Sequence, residues 1–176
     1  MKLDVYISQE EIMKRVCEMA EEIDRWIGGD DVLCVANLKG SFMFFADLLK
    51  QVKSERVRVD FIATESYVGT ESSGQVRILK DLQQVCRGEK LLVVEDIVDT
   101  GLTLSKILEH FATMHCPREM KVATLLDKPS RRRVAMQPDF VGFTIEDAFV
   151  VGYGLDYNEY YRNLPYIGVL RNTEER

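Results

Sequence analysis

The chain is poor in the residues that most often announce a metal or nucleophilic site: it has two histidines, four scattered cysteines and a single tryptophan. His110 and His115 stand five positions apart, off one face of a regular helix, so a histidine metal site and a serine–histidine triad are both set aside. Cys17, Cys34, Cys86 and Cys116 show no paired spacing, which speaks against a disulfide framework or a zinc centre. Cys17 and Cys34 fall in apolar segments and are expected as buried thiols. Any metal should therefore have oxygen ligands, which points to magnesium.

Long apolar runs are missing too, so no membrane span is expected, and the first eleven residues lack a signal-peptide core. A cytoplasmic protein is the expectation. Positive charge is also short, 23 Lys and Arg against 29 Asp and Glu, a net charge of −6. Affinity for nucleic-acid backbone comes mainly from clustered cations, so a nucleic-acid partner is not expected. The one basic run, Arg131 to Arg133, reads as a solvated loop face. No repeat, low-complexity tract or linker divides residues 1–176, which are expected to form one domain.

What is present has the rhythm of an α/β protein. Ser8 and Glu11 have capping-box spacing ahead of a helical face made by Ile12, Val16, Met19, Ile23 and Trp26 or Ile27, ending at Gly28-Gly29. Val32 to Ala36 and Leu91 to Val94 are unbroken apolar runs, as in strands covered on both faces of a parallel sheet. Val57 to Thr64 alternates, and Lys121 to Leu126 forms a further strand. Ser66 to Gln75 turns small and polar, the composition of a mobile hairpin loop or lid. From Asp139 onwards, glycines between aromatic and β-branched residues predict short strands.

The most informative stretch is 91–105. Its strand delivers Glu95 and Asp96 to a carboxyl edge, and Asp99, Thr100, Gly101, Leu102 and Thr103 form a turn and helix start. Free N–H groups and the positive end of a helix dipole suit a phosphate there. Three carboxylates beside a phosphate need hydroxyls, a metal ion or a transferable proton to hold, which points to a ribose 5-phosphate. By composition alone a capped turn with solvated acids fits as well.

The string Glu95-Asp96-Ile97-Val98-Asp99-Thr100-Gly101-Leu102-Thr103 resembles the phosphoribosyl-pyrophosphate signature of the type I phosphoribosyltransferases. With Asn37-Leu38-Lys39-Gly40-Ser41-Phe42 and Val151-Gly152-Tyr153-Gly154-Leu155-Asp156-Tyr157, the chain is similar over nearly its full length to the hypoxanthine-guanine phosphoribosyltransferases in their compact bacterial form. The resemblance implies a type I phosphoribosyltransferase fold: a central, mainly parallel sheet flanked by helices. A small hood would come from the N-terminal segment and residues 139–176, and a flexible lid loop from about 66 to 77, where Ser66 and Tyr67 match the family's catalytic loop.

The implied activity moves 5-phosphoribosyl from phosphoribosyl pyrophosphate to N9 of hypoxanthine or guanine with Mg2+, in a homodimer or homotetramer. The resemblance assigns residues 99–103 to the 5-phosphate and Glu95 and Asp96 to the ribose and metal. Lys39, Gly40 and Arg162 fall to pyrophosphate, with Asp156 on the metal and a non-proline cis peptide within Leu38-Lys39-Gly40. Lys128, Phe149, Val150 and Asp156 fall to the purine, and Asp99 to acid/base work at purine N7. The alternatives are a relative preferring xanthine, or a regulator on the same fold that binds nucleotide and nucleic acid. A regulator should carry a basic face or an added nucleic-acid-binding segment, and this sequence has neither.

Overall fold

A computed structural model describes residues 2–69 and 72–171, the side chains of 67–69 and 72–74 excepted. In chain order the elements are β1 (Lys2–Ile7), α1 (Gln9–Ile27), β2 (Val32–Leu38), α2 (Phe42–Gln51), β3 (Val57–Gly69), β4 (Ser72–Lys80), β5 (Lys90–Val98) and α3 (Leu102–His110). A π-helical turn (Phe111–His115), β6 (Glu119–Asp127), a 3-10 turn (Pro129–Arg131), β7 (Phe140–Thr144), β8 (Val150–Val151) and β9 (Ile167–Arg171) complete it.

The large sheet has the order β4-β3-β2-β5-β6-β7 and is parallel except for the β3–β4 hairpin. The two unbroken apolar runs are its central strands. Cys34, Ala36, Leu92 and Val94 pack towards α1 and α2, whereas Leu33, Val35, Leu91 and Val93 pack towards Ile107 and Phe111 on the opposite face. Burial on both faces is why these strands do not alternate in polarity. They carry their carboxyl ends, and with them residues 37–41 and 95–101, to one edge of the sheet.

Helix α1 begins as its sequence predicts. Ser8 N donates to Glu11 Oε2 at 2.8 Å, and Glu11 N donates to Ser8 Oγ at 3.2 Å. Its other end is held by Lys90, a buried lysine whose Nζ donates to the carbonyls of Trp26 at 2.6 Å and Ile27 at 3.3 Å. A cation on the last carbonyls of a helix contributes about 1–2 kcal/mol when partly buried. Arg15 on α1 donates to the carbonyls of Val141 and Gly142 and so satisfies the edge strand β7.

Strands β1, β9 and β8 form a separate three-stranded sheet. Ile7, Val150 and Ile167 from it join the apolar cluster of the large sheet. This small sheet comes from the two chain segments expected to form a hood, but Phe140 to Thr144 pair with β6 in the large sheet instead. Residues 172–176, counted with the hood in sequence, lie outside the described residues.

Three other sequence expectations are corrected. The polar stretch after Ser66 does form a hairpin, but its limbs are strand where loop is expected, with Tyr67 opposite Gln75 and Gly69 opposite Ser72, because a backbone ladder does not depend on apolar side chains. Cys17 is exposed, whereas Cys34 is buried. His110 and His115 meet on one carboxylate, Asp81, because α3 widens into a π turn whose Cys116 N donates to Phe111 O at 3.0 Å. Among the described residues, no helix is long and apolar enough to cross a membrane.

Asp60 anchors the base of the β3–β4 hairpin. It is buried and accepts from the backbone N–H groups of Gln83 and Gln84, with Lys80 alongside. Burial works against its charge, yet the backbone donors of Phe61, Gln84 and Gln83 and the Lys80 cation outweigh it and hold the carboxyl below its usual range. Asp60→Ala should cost about 2–3 kcal/mol in urea unfolding at neutral pH. A depressed folded-state pKa stabilises above the unfolded value and loses that contribution as pH falls through the folded one. The advantage over Asp60→Asn should therefore narrow as pH drops below about 3.9.

Candidate active site

A cleft of about 440 Å³ opens at the carboxyl edge of β2 and β5, the place where open α/β sheets bind ligands. One wall is the turn from β5 into α3. Gly101 takes φ +82° at the N-cap, and an added Cβ would come within 2.9 Å of Met136 Sδ and Val134 Cγ2. Thr100 Oγ1 accepts from Leu102 N at 3.3 Å. The first N–H groups of α3 have no partners within the helix and form a ready anion site. Ser66 Oγ from β3 reaches Thr103 Oγ1 at 3.3 Å, linking the hairpin to this turn.

The Arg131–Arg133 run, expected to be solvated, braces the turn from below. Arg131 Nε donates to Asp99 Oδ1 at 2.6 Å, Arg132 Nη1 to Asp99 O at 2.8 Å, and Arg133 N to Thr100 O at 2.9 Å. Arg132 is largely buried in a salt bridge to Asp127. The carbonyls at the end of β5 needed donors, and this segment supplies them.

The opposite wall is acidic. Glu95 is buried, and its carboxyl is pushed well above the usual range by that burial and by the neighbouring Asp96, with the Asn37 amide opposing. Asn37 Nδ2 donates to Glu95 Oε1 at 3.1 Å and its Oδ1 accepts from Thr64 at 3.1 Å, so Thr64 and Asn37 position the acid. Both line the cleft and neither has a role assigned from sequence, where Asn37, near the end of β2, stands only as the first residue of the stretch 37–42. Burial also raises Asp96, to about 6, against backbone donors such as Ile97 N.

Close packing brings the loops together. A Cβ on Gly40 would lie 1.8 Å from Asp96 Oδ2, and one on Gly154, at φ +100°, would lie 2.0 Å from Gly40 O. The Leu38–Lys39 peptide is cis. Asp156 and Arg162 complete this wall, their side chains 3.2 Å apart. Arg162 Nη1 donates to Gly154 O at 2.8 Å, and its buried Nε has no hydrogen-bond partner among the described residues. Glu159 pairs with both Lys39 at 2.8 Å and Arg162 at 3.1 Å, an acid absent from the sequence expectations.

Ten of the expected site residues line the cleft: Gly40, Ser66, Glu95, Asp96, Asp99, Thr100, Gly101, Thr103, Asp156 and Arg162. Lys39, Leu102, Lys128, Phe149 and Val150 do not. Lys128 follows β6 at the adjacent edge, buried, with its N–H on Val98 O and its Nζ on Ala148 O at 2.7 Å. Phe149 is half exposed and meets Tyr157 edge to face at 5.6 Å. Val150 is buried in β8. The Tyr67 side chain lies outside the described residues.

The donors fit a hard cation. Glu95, Asp96 and Asp156 offer only oxygens to the cleft, and burial leaves two of them short of counter-charge. They do not converge tightly enough to enclose an ion unaided, which suits an ion that keeps water and substrate oxygens in its shell.

An anion-binding helix start facing paired acids across the edge of a mainly parallel sheet is the arrangement of a type I phosphoribosyltransferase. The family model for the phosphoribosyl transferase domain matches residues 4–158, and this chain belongs to that family. It is 48% identical over 168 residues to the hypoxanthine-guanine phosphoribosyltransferase of Bacillus subtilis, covering 95% of this chain and 92% of that protein. It is 46% identical to the Escherichia coli hypoxanthine phosphoribosyltransferase, covering 94% of each. A crystal structure of the Staphylococcus aureus hypoxanthine phosphoribosyltransferase superposes with a TM-score of 0.91 at 41% identity, over 96% of this chain and 91% of that one.

Replacing Asn37 by Leu removes the donor that favours ionised Glu95. The Glu95 carboxyl should titrate still higher in a carboxyl carbon NMR titration, with about 1 kcal/mol lost in stability.

Proposed function

We propose that residues 1–176 act as one phosphoribosyltransferase unit that moves the 5-phosphoribosyl group of phosphoribosyl pyrophosphate onto N9 of hypoxanthine or guanine. The products are the purine nucleotide and pyrophosphate, a purine-salvage reaction. The observation that carries the reading is one cleft holding a helix start suited to an anion and two acids beside it, with a buried lysine outside the cleft at the next strand edge.

The 5-phosphate sits on the start of α3, taking N–H groups from residues 99–103. Glu95 and Asp96 take the ribose hydroxyls, with Asn37 aiming Glu95. As the ribose carbon gains oxocarbenium character, charge grows on the departing pyrophosphate, and cations already in place stabilise it without reorganisation. Lys39 and Arg162 are those cations, and Glu159, which holds both, is the internal anion that pyrophosphate displaces. Bound here, Mg2+ would neutralise and orient the pyrophosphate, held through water and substrate oxygens by Glu95, Asp96 and Asp156. Asp99 manages the proton at purine N7, exchanging its Arg131 contact for the base.

Lys128 chooses the base. Its Nζ, directed by Ala148 O, donates to a 6-oxo oxygen but confronts another donor in the 6-amino group of adenine. A buried mismatch of that kind is strongly rejected. Phe149, open on one side, stacks on the purine. Closure of the β3–β4 hairpin over the site would exclude water from a centre that it would otherwise attack. We place the enzyme in the cytoplasm as a homodimer or homotetramer.

Nucleotide formation from phosphoribosyl pyrophosphate and magnesium should occur with hypoxanthine and guanine and fail with adenine and uracil; absence of both 6-oxopurine products would overturn the reading. Lys128→Ala should lower kcat/KM for hypoxanthine about 100-fold and erode discrimination against adenine. Asp99→Asn should fold normally by circular dichroism while kcat drops about 100- to 1,000-fold.

A further inference from the structure

Apart from the cleft, Asp81, His110 and His115 bring one ligand atom each within 4.8 Å of one another. His110 Nε2 lies 2.7 Å from Asp81 Oδ2, and His115 Nε2 lies 3.1 Å from Asp81 Oδ1. The imidazoles meet edge to face with centroids 5.5 Å apart, so both nitrogens address the carboxylate without stacking. A tetrahedral ion with bonds of about 2.0–2.1 Å spaces its ligand atoms about 3.3 Å apart. The separations here, none above 4.8 Å, bracket that spacing.

We propose that Asp81, His110 and His115 form a site for one transition-metal dication, zinc foremost, with a position left to water. Two imidazoles and a carboxylate are borderline ligands that suit zinc and its neighbours and not magnesium, so this site and the cleft select different metals. The backbone is shaped for it. On a regular helix His110 and His115 would point about 140° apart, and the π turn Phe111–His115 removes that separation; such turns recur at functional sites. Buried Phe111 backs both rings at 6.0 and 5.7 Å. Leu82 N fixes the carboxylate by donating to Asp81 Oδ1 at 2.7 Å. The rings are mostly covered, at 22% and 16% exposure, whereas Asp81 is 40% exposed, which leaves an entry path for the ion.

The position gives the ion mechanical leverage. Asp81 follows β4 directly, and β4 is the return limb of the hairpin that touches Thr103 through Ser66. The histidines lie at the far end of α3, whose start is the anion site. A bound ion would tie the hairpin's root to the end of the phosphate-binding helix.

These are the chain's only two histidines, so the test is direct. The full chain, carrying no histidine tag and held in excess Mg2+ to occupy the acidic cleft, is titrated with Zn2+ and followed by long-range proton–nitrogen NMR of the imidazoles. At one equivalent, both ring nitrogens facing Asp81 should move to metal-bound shifts, and Tm should rise by about 5 °C. Co2+ in place of Zn2+ should give visible absorption that His115→Gln abolishes. Free-imidazole signals at one equivalent, a shift of one ring only, or unchanged Co2+ absorption in His115→Gln would each overturn the proposal.

Discussion

Holding Glu95, buried, and Asp96, partly buried, side by side at the end of β5 is the constraint on which the rest of the site depends. Neither acid can leave the sheet edge without breaking the strand that carries it, and burial disfavours two negative charges there. The surroundings are arranged to keep the pair in place without neutralising it permanently. Asn37 offers one amide donor to Glu95, backbone N–H groups support Asp96, and Gly40 supplies the missing side chain that lets Asp96 fit. The strong cations stand further off, engaged with Asp99, Asp156 and Glu159. A carboxylate pair held short of counter-charge has something to gain from hydroxyl donors and a cation, and under the function proposed above both would arrive with a metal-bound sugar pyrophosphate.

The same economy explains the glycines and the arginine run. Gly40 and Gly154 let loops 38–41 and 152–156 touch backbone to backbone, which narrows the wall opposite the anion site. Arg132 and Arg133 satisfy carbonyls of the turn itself, so the helix start keeps its free N–H groups for the ligand. Arg131 sits on the surface with Asp99 and Asp147; an exposed pair of this kind contributes little stability and is easily exchanged. That weakness suits the role proposed for Asp99, which would exchange this contact for the purine.

Much of this was legible in the sequence, for physical reasons. Covered strands show as unbroken apolar runs, and β2 and β5 were placed that way, which fixes where Glu95 and Asp96 emerge. The reciprocal cap of Ser8 and Glu11 is local and therefore readable. What escaped depended on distant partners or on non-standard backbone. Asn37 matters because Glu95 lies across the sheet edge, 58 positions away. Arg132 is buried by Asp127 and the end of β5, and a charge run carries no sign of that. Phe140 to Thr144 joins the large sheet because β6 has a free edge, not because of its aromatic content. A five-residue spacing sets two histidines apart on a regular helix, and the π turn departs from that geometry.

The two metal environments illustrate why donor chemistry must be read with backbone geometry. In the cleft the donors are hard oxygens, Glu95 and Asp96 at a strand end and Asp156 on a loop, too dispersed to enclose an ion, so an ion there would need further oxygens to complete its shell. Around Asp81 the ligands are borderline and converge without any substrate, because a widened helix turn and a strand end happen to face one another. An ion in the cleft would therefore come and go with turnover, whereas one on Asp81 would act on the frame: it would stiffen the joint between the hairpin and α3, whose opposite ends meet at Ser66 and Thr103 on the wall of the cleft.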